Sequence, residues 1–287
     1  MKKAIIVTLF ISLLPVLVSA QNAGGEVRRH DKRKEPIIEV PTRKQKSQQT
    51  ALSAKQRQAI LQDLINNMVL VEGGTFMMGA TAEQANDAWE DEIPVHQVTL
   101  SSFYIGRYEV TQQEWQAVMG NNPSKFKGSK QPVGRVSWND CQQFIHKLNT
   151  LTGKQFRLPT EAEWEFAARG GKKSHGYKYA GGNDLDKVAW HWKNCSGKTH
   201  EVGKKLPNEL GLYDMSGNVE EWCQDWFAYY SSSNMKNPIG PSSGSTRVFR
   251  GGCVASGTKE CHLSDRSSIG PDEHIYYMGL RLVYVRD

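Results

Sequence analysis

The 287-residue sequence predicts an α+β fold, and three observations carry that prediction. Four stretches, beginning at Ser53, Thr111, Ser137 and Thr160, set apolar residues at helical spacing behind a hydroxyl residue suited to capping. Short alternating or β-rich runs lie between and after them, without the regular strand–helix rhythm of a parallel sheet. Beyond a basic N-terminal stretch no change in composition divides the remainder, and a chain of this size fits one domain.

Taken in order, Lys2 and Lys3, the apolar run Ala4 to Val18 and the small-residue ending Val18-Ser19-Ala20 read as a signal peptide over residues 1–20. The expected product is exported, to the periplasm or outside the cell. No cysteine lies near the cleavage point, so no lipid anchor is expected, and no later run is long enough to span a bilayer. Residues 21–52 form a linker rich in Arg, Lys, Gln and Pro that buries too little apolar surface to order itself. Residues 21–57 hold ten Lys and Arg against four Asp and Glu; with Lys2 and Lys3 they exceed the whole-chain charge of +6 and leave the remainder near −2. The basic character therefore belongs to the tail, and the folded part carries no nucleic-acid footprint.

Residues 53–67 read as a leading helix: Ser53 and Gln56 make a capping box, and Ile60, Leu61, Leu64, Ile65 and Met68 share a face. Met68 to Met78 reads as strand, turn at Gly73-Gly74 and strand; Val95 to Tyr108 reads as further strand. Thr111 and Glu114 box the next helix, with Trp115 and Val118 inward, and Ser137 to Leu151 carries Trp138, Cys141, Phe144, Ile145 and Leu148 at helical spacing. In Arg157 to Gly171, Thr160 and Glu163 make a third box. There Glu161 and Glu163 complement the helix dipole, Trp164, Ala167 and Ala168 form a stripe, and Gly170-Gly171 stop the helix. The long run from Lys172 to Leu210 lacks periodicity, so buried aromatics such as Tyr177, Tyr179, Trp190 and Trp192 are expected to pin it. From Arg247 a strand leads through Gly251-Gly252 and a loop with Cys253 and Cys261 to a closing strand, Gly279 to Val285.

Seven pieces recur in a telling order: V-E-G-G-T-F-M-M-G from Val71, E-V-T-Q-Q-E-W from Glu109, P-V-G-R-V-S-W from Pro132, R-L-P-T-E-A-E-W-E-F-A-A-R from Arg157, G-L-Y-D-M-S-G-N from Gly211, R-G-G from Arg250 and M-G-L-R-L-V from Met278. Together they make residues 68–287 resemble the formylglycine-generating enzymes, or sulfatase-modifying factors. The resemblance implies a compact variant of the C-type-lectin-like fold, low in regular secondary structure, with structural calcium. It also implies an oxidoreductase that converts a sulfatase cysteine to formylglycine with O2 and a Cu(I) ion held by two thiolates. Soft thiolates select Cu(I), so both sulfurs are needed.

Aligned on the family's pattern, the first catalytic cysteine position holds Ser256 and the second holds Cys261, while Cys253 follows the glycine pair. Cys261 is then the main candidate thiol and Cys253 an improvised partner, and the incomplete pair argues against copper. Five cysteines in an exported chain suggest disulfides, and the resemblance points to Cys223–Cys261. The family's calcium positions fall on Asp214, Gly217, Val219 and Glu221, hard oxygens gathered by a turn. Glu220 stands where the family usually has tryptophan. Two readings stay open: the family's oxidation of a peptide cysteine, with a sulfatase as partner, or a non-catalytic, lectin-like binding or scaffold domain of the cell envelope, a pseudoenzyme that engages a protein, peptide or glycan. The scattered histidines show no zinc spacing, and no nucleophile elbow surrounds Ser256.

Overall fold

A computed structural model describes residues 52–84 and 87–284; the expected signal peptide and all but the last residue of the expected linker lie outside them. Five helices are present among the described residues: α1 (Ala54–Asn66), α2 (Gln112–Met119), α3 (Trp138–Thr152), α4 (Glu161–Ala168) and α5 (Leu185–Val188). Capping boxes form at Ser53–Gln56, Thr111–Glu114 and Thr160–Glu163, and a further one joins Ser137 to Asp140. Gly120 and Gly153 end α2 and α3 at φ 78° and 68°, where a side chain would be strained.

The strands form three small sheets. The first runs β1 (Met68–Val71), β4 (Phe103–Gly106), β11 (Val283–Tyr284), β5 (Phe156–Arg157), all antiparallel. The second runs β10 (Met278–Gly279), β6 (Glu220–Trp226), β8 (Arg247–Arg250), β9 (Arg266–Ile269), with β10 parallel to β6 and the other pairs antiparallel. The third joins β2 (Gly74–Met78), β3 (His96–Leu100) and β7 (Met235–Lys236). This is the α+β mixture expected. The expected strands are cut differently, however. β1 and β2 do not pair with each other but enter different sheets, and Gly73 makes the crossing so tightly that a Cβ would lie 2.4 Å from the Leu100 carbonyl oxygen. The run Val95 to Tyr108 likewise breaks into β3 and β4, in separate sheets. β9 was not foreseen, and the closing strand reduces to β10 and β11, two residues each.

Two apolar clusters hold these layers. Trp115, Trp138, Phe144, Leu148 and Leu158 pack with Trp222 and Phe249 in one, and Trp164, Phe166, Phe103, Ile105 and Leu212 meet in the other. Of the expected pins in the long loop, Tyr179 is buried, whereas Trp192 is 57% exposed. The sequence shows why: His191 and Cys195 on either side take the inward positions.

α4 departs most from its expected role. Every one of its eight residues is buried, not the apolar stripe alone. Its three carboxylates are each answered by arginine. Glu161 accepts from Arg266 Nε and Nη2 at 2.6 and 2.7 Å; Glu163 accepts from Arg157 at 2.6 and 2.7 Å; Glu165 pairs with Arg169 at 2.8 Å and with Arg250. Burial alone would raise Glu161, but Arg266 and Arg250 outweigh it and hold the carboxyl below its ordinary value. Removing one partner of a buried pair leaves an uncompensated charge in a low-dielectric site. Arg250→Met should therefore lower stability by about 3–5 kcal/mol in urea titration. A loss below about 1 kcal/mol would mean that Arg169 suffices for Glu165.

Candidate functional site

The turn from Asp214 to Val219 is built from backbone that ordinary residues avoid. Asp214 and Asn218 sit at φ 58° and 62°, a region in which Asp and Asn are tolerated better than most. Gly217, at φ 84°, has no room for a side chain: a Cβ would approach the Trp190 carbonyl oxygen to 2.3 Å. Two backbone bonds tie the turn down, Gly217 N–H to Gly251 O and Asn218 N–H to Trp190 O, both 2.8 Å. Glu109 then accepts from the Asn218 side-chain amide at 2.7 Å and from Val219 N–H at 3.0 Å.

Behind the turn, Glu221 is fully buried and its two oxygens are taken up by Arg281, at 2.6 to 3.1 Å, and by the Trp164 indole N–H at 2.7 Å. Asp214 Oδ2 accepts from Gly203 N–H at 2.7 Å, while Oδ1 is buried without a hydrogen-bond partner. Burial pushes Asp214 up to about 6, and burial with the charges of Asp214 and Glu221 drives Glu109 well above the carboxylate range. Glu109, Asp214 and Glu221 thus share one arginine, Arg281, which lies close enough to act on all three.

Such a surplus of buried negative charge suits a hard cation. Asp214 Oδ1 is the side-chain oxygen left over for such an ion, and Glu221 could join it only by giving up an Arg281 contact. Among the described residues no three His, Cys, Asp or Glu side chains form a complete cage, so backbone oxygens would have to supply much of the shell. Glu109 and Arg281 were not singled out as site residues in the sequence. Their motifs, E-V-T-Q-Q-E-W and M-G-L-R-L-V, were visible, but the electrostatic link between the two residues joins opposite ends of the folded chain.

The thiol loop begins where β8 ends. Cys253, Ser256 and Cys261 are brought into one neighbourhood, with Cys261 close enough to act on the Cys253 thiol electrostatically. Cys253 N–H donates to Ser256 Oγ at 3.0 Å, so Ser256 closes the turn, with its hydroxyl 3.5 Å from the Cys253 sulfur. Ala255 N–H points at the same sulfur at 3.4 Å, and Glu220 Oε1 lies 3.7 Å from it. Cys261 Sγ packs against Gly252, where a Cβ would come within 3.1 Å. Burial raises both thiols well above their usual value, with Glu220 adding to Cys253 and Asp265 adding to Cys261. Burial also pushes the Glu220 carboxyl up to about 8, Asp265 adding to it, and Oε2 has no partner. With a hydroxyl at Ser256, the position of the family's first copper ligand offers no soft sulfur.

The expected Cys223–Cys261 bridge is absent. All five cysteines are unpaired and buried; Cys223 packs in the α4 cluster, Cys261 beside Tyr179 and Leu185 in a separate one. The reason is topological: β6 carries Cys223 under α4, while the thiol loop swings toward α5.

Comparison with known proteins agrees with this architecture. The family described as "Sulfatase-modifying factor enzyme 1-like domain" matches residues 53–286. The chain is 35% identical over 273 residues to the chaperone protein LppX of Paenibacillus barcinonensis, covering 76% of this chain and 89% of that protein. It is 30% identical over 293 residues to the formylglycine-generating enzyme of Thermomonospora curvata, covering 77% and 94%. Among solved structures, Treponema denticola variable protein 1 superposes with a TM-score of 0.70 at 34% identity, over 76% of this chain and 95% of that one. The fold, the ordered motifs and these matches together make the chain a member of the sulfatase-modifying factor family.

Proposed function

We propose that this protein is an exported, non-catalytic member of the family: a binding or scaffold domain of the cell envelope, acting on a protein, peptide or glycan partner. One observation carries the reading. Ser256 stands in the first copper-ligand position and is used as a turn cap, while Cys253 and Cys261 are buried thiols raised well above their usual value. Relatives that bear names other than the enzyme's, such as the chaperone LppX, support it. No helix among the described residues is long and apolar enough to cross a membrane.

The family activity is the second reading, kept by the finding that no disulfide consumes the thiols. It would use Cys261 as main thiol, Cys253 as partner and a sulfatase cysteine as substrate. Mature protein incubated with Cu(I), O2 and a cysteine peptide from a sulfatase should yield no aldehyde. Iodoacetamide at pH 8 should leave all five thiols unlabelled until urea is added, with or without Cu(I), because every one of them is buried away from the reagent. Aldehyde formation, or copper-protected labelling confined to Cys253 and Cys261, would reverse the assignment.

Structural calcium belongs to the same proposal, at Asp214, Glu221 and the carbonyls of Gly217 and Val219. The unpartnered Asp214 Oδ1 and the surplus of carboxylates support it. Its chemistry would be that of a hard cation neutralising the cluster and fixing the turn. Calcium at a hundredfold excess over Kd should stabilise the fold by about 2.7 kcal/mol, and chelator should reverse this. The response should vanish in Asp214→Ala; an unchanged melting curve in the parent protein would remove calcium from the account.

A further inference from the structure

We infer that the loop between α2 and α3, residues 121–135, forms a site for a phosphate group, free or as a monoester, with Lys127 and Arg135 as its cations. Residues 115–139 hold Lys125, Lys127, Lys130 and Arg135 and no acidic residue, although the chain beyond its basic tail is net acidic. All four are exposed, and none has an ion-pair partner among the described residues.

The loop that carries them is held from within. Gln112, buried at the start of α2, donates through Nε2 to Phe126 O at 2.7 Å and Pro132 O at 3.2 Å; its Oε1 accepts from Asn122 Nδ2 at 2.8 Å and Gly128 N–H at 3.1 Å. Against this frame lies a pocket of about 320 Å³, at the small end of the range for ligand sites, whose wall includes Gln113, Asn122, Lys127 and Ser129 and no carboxylate. Lys127 Nζ donates to Asn122 O at 2.8 Å, which leaves two of its three N–H groups for a ligand. The Gln113 amide and the Ser129 hydroxyl have no hydrogen-bond partner among the described residues.

Two features work against the fold and so point to a ligand. Arg135 sits at φ 62°, left-handed backbone that strains most side chains other than Asn and Asp, and its N–H bond to Ile275 O at 3.1 Å is one that glycine would make equally. Arg135 also stands near Lys127, whose ammonium is pushed below its ordinary value by burial and by that neighbouring charge. Lys125 adds to the crowding: its Nζ lies 4.1 Å, and Arg135 Cζ 5.7 Å, from the centre of the same Tyr276 ring. Strained backbone of this kind gathers at ligand clamps.

The ligand class follows from the charges. A carboxylate would answer one of the two cations and leave the other unpaired. Phosphate or its monoester carries close to two charges above about pH 6, with three outer oxygens for Lys127, Arg135 and a hydroxyl or amide of the wall together. A diester, as in a nucleic-acid backbone, has a single charge per group. The thiol loop lends this pocket no residue, so the inference goes beyond the binding-domain reading and stands whether or not the protein oxidises peptides.

Titration calorimetry of the full chain at about pH 8 and low ionic strength should show inorganic phosphate and glucose 6-phosphate binding with Kd roughly between 0.1 and 5 mM, and acetate at least about tenfold weaker. The two probes separate the sources: a tighter ester assigns the amide wall to the organic part, and equal binding assigns the site to free phosphate. Lys127→Gln and Arg135→Asn should each weaken binding about tenfold, while Lys147→Gln, exposed on α3, should not. Because Arg135→Asn relieves the left-handed strain, its melting temperature should hold level or rise while binding falls, which separates lost recognition from a folding defect. Silence of both phosphates at about 20 mM, or unchanged binding in Lys127→Gln or Arg135→Asn, would overturn the inference. So would tighter, Lys127-dependent binding of acetate, an oligoglutamate peptide or a short oligonucleotide.

Discussion

The structure hangs on arginines that reach α4. Three carboxylates on a wholly buried eight-residue helix would be intolerable alone, and each is met by a guanidinium: Glu163 by the nearby Arg157, Glu161 and Glu165 by Arg266 and Arg250 from distant strands. Trp164, between them, donates its indole N–H to Glu221, which Arg281 also holds. The net stabilisation from such pairs is small, since desolvation offsets most of the attraction. Their effect is on arrangement: sheets of two to seven residues per strand contribute few ladder bonds, and a planar two-pronged contact fixes where each segment must lie.

This explains what could and could not be read in the sequence. Caps and helical stripes are local, so Thr111 with Glu114 and Thr160 with Glu163 were visible within four residues. Strand partners are not local. Gly73 looked like a hairpin turn, because nothing nearby reveals that the Leu100 carbonyl occupies the space of its missing side chain. The candidate site is still less local: Glu109 meets Val219 across 110 residues, and Arg281 meets Glu221 across 60. Motif order identified the family and with it the turn at Asp214. Glu109, lying just outside a helix cap, gave no sign that it was buried. The disulfide expectation failed for the same reason, since sequence distance says nothing of which side of α4 a cysteine falls on.

Chemistry at the thiol loop follows from its surroundings more than from the residue types in it. A cysteine is a ligand or a nucleophile only as thiolate, and here burial and nearby carboxylates act against ionisation and, at Cys253, outweigh the Ser256 hydroxyl and Ala255 N–H that favour it. Ser256 in turn serves the backbone of Cys253. The loop therefore behaves as structure, while the exposed indole next to it, tied through Ser256 O, faces outward.

The last feature lies at the base of that loop. β8 ends at Arg250 and β9 starts at Arg266, and these two residues stand directly opposite each other in the ladder. Both are clamped to α4 through Glu161 and Glu165. The fifteen-residue stretch between them is thus a cassette hung from two fixed posts. Its base is fixed as well, since Gly251 O and Val254 N–H hold the Asp214–Val219 turn and the Ser264 and Asp265 carbonyls hold Arg250, so sequence can drift freely only at the crest, around Ala255 and Thr258.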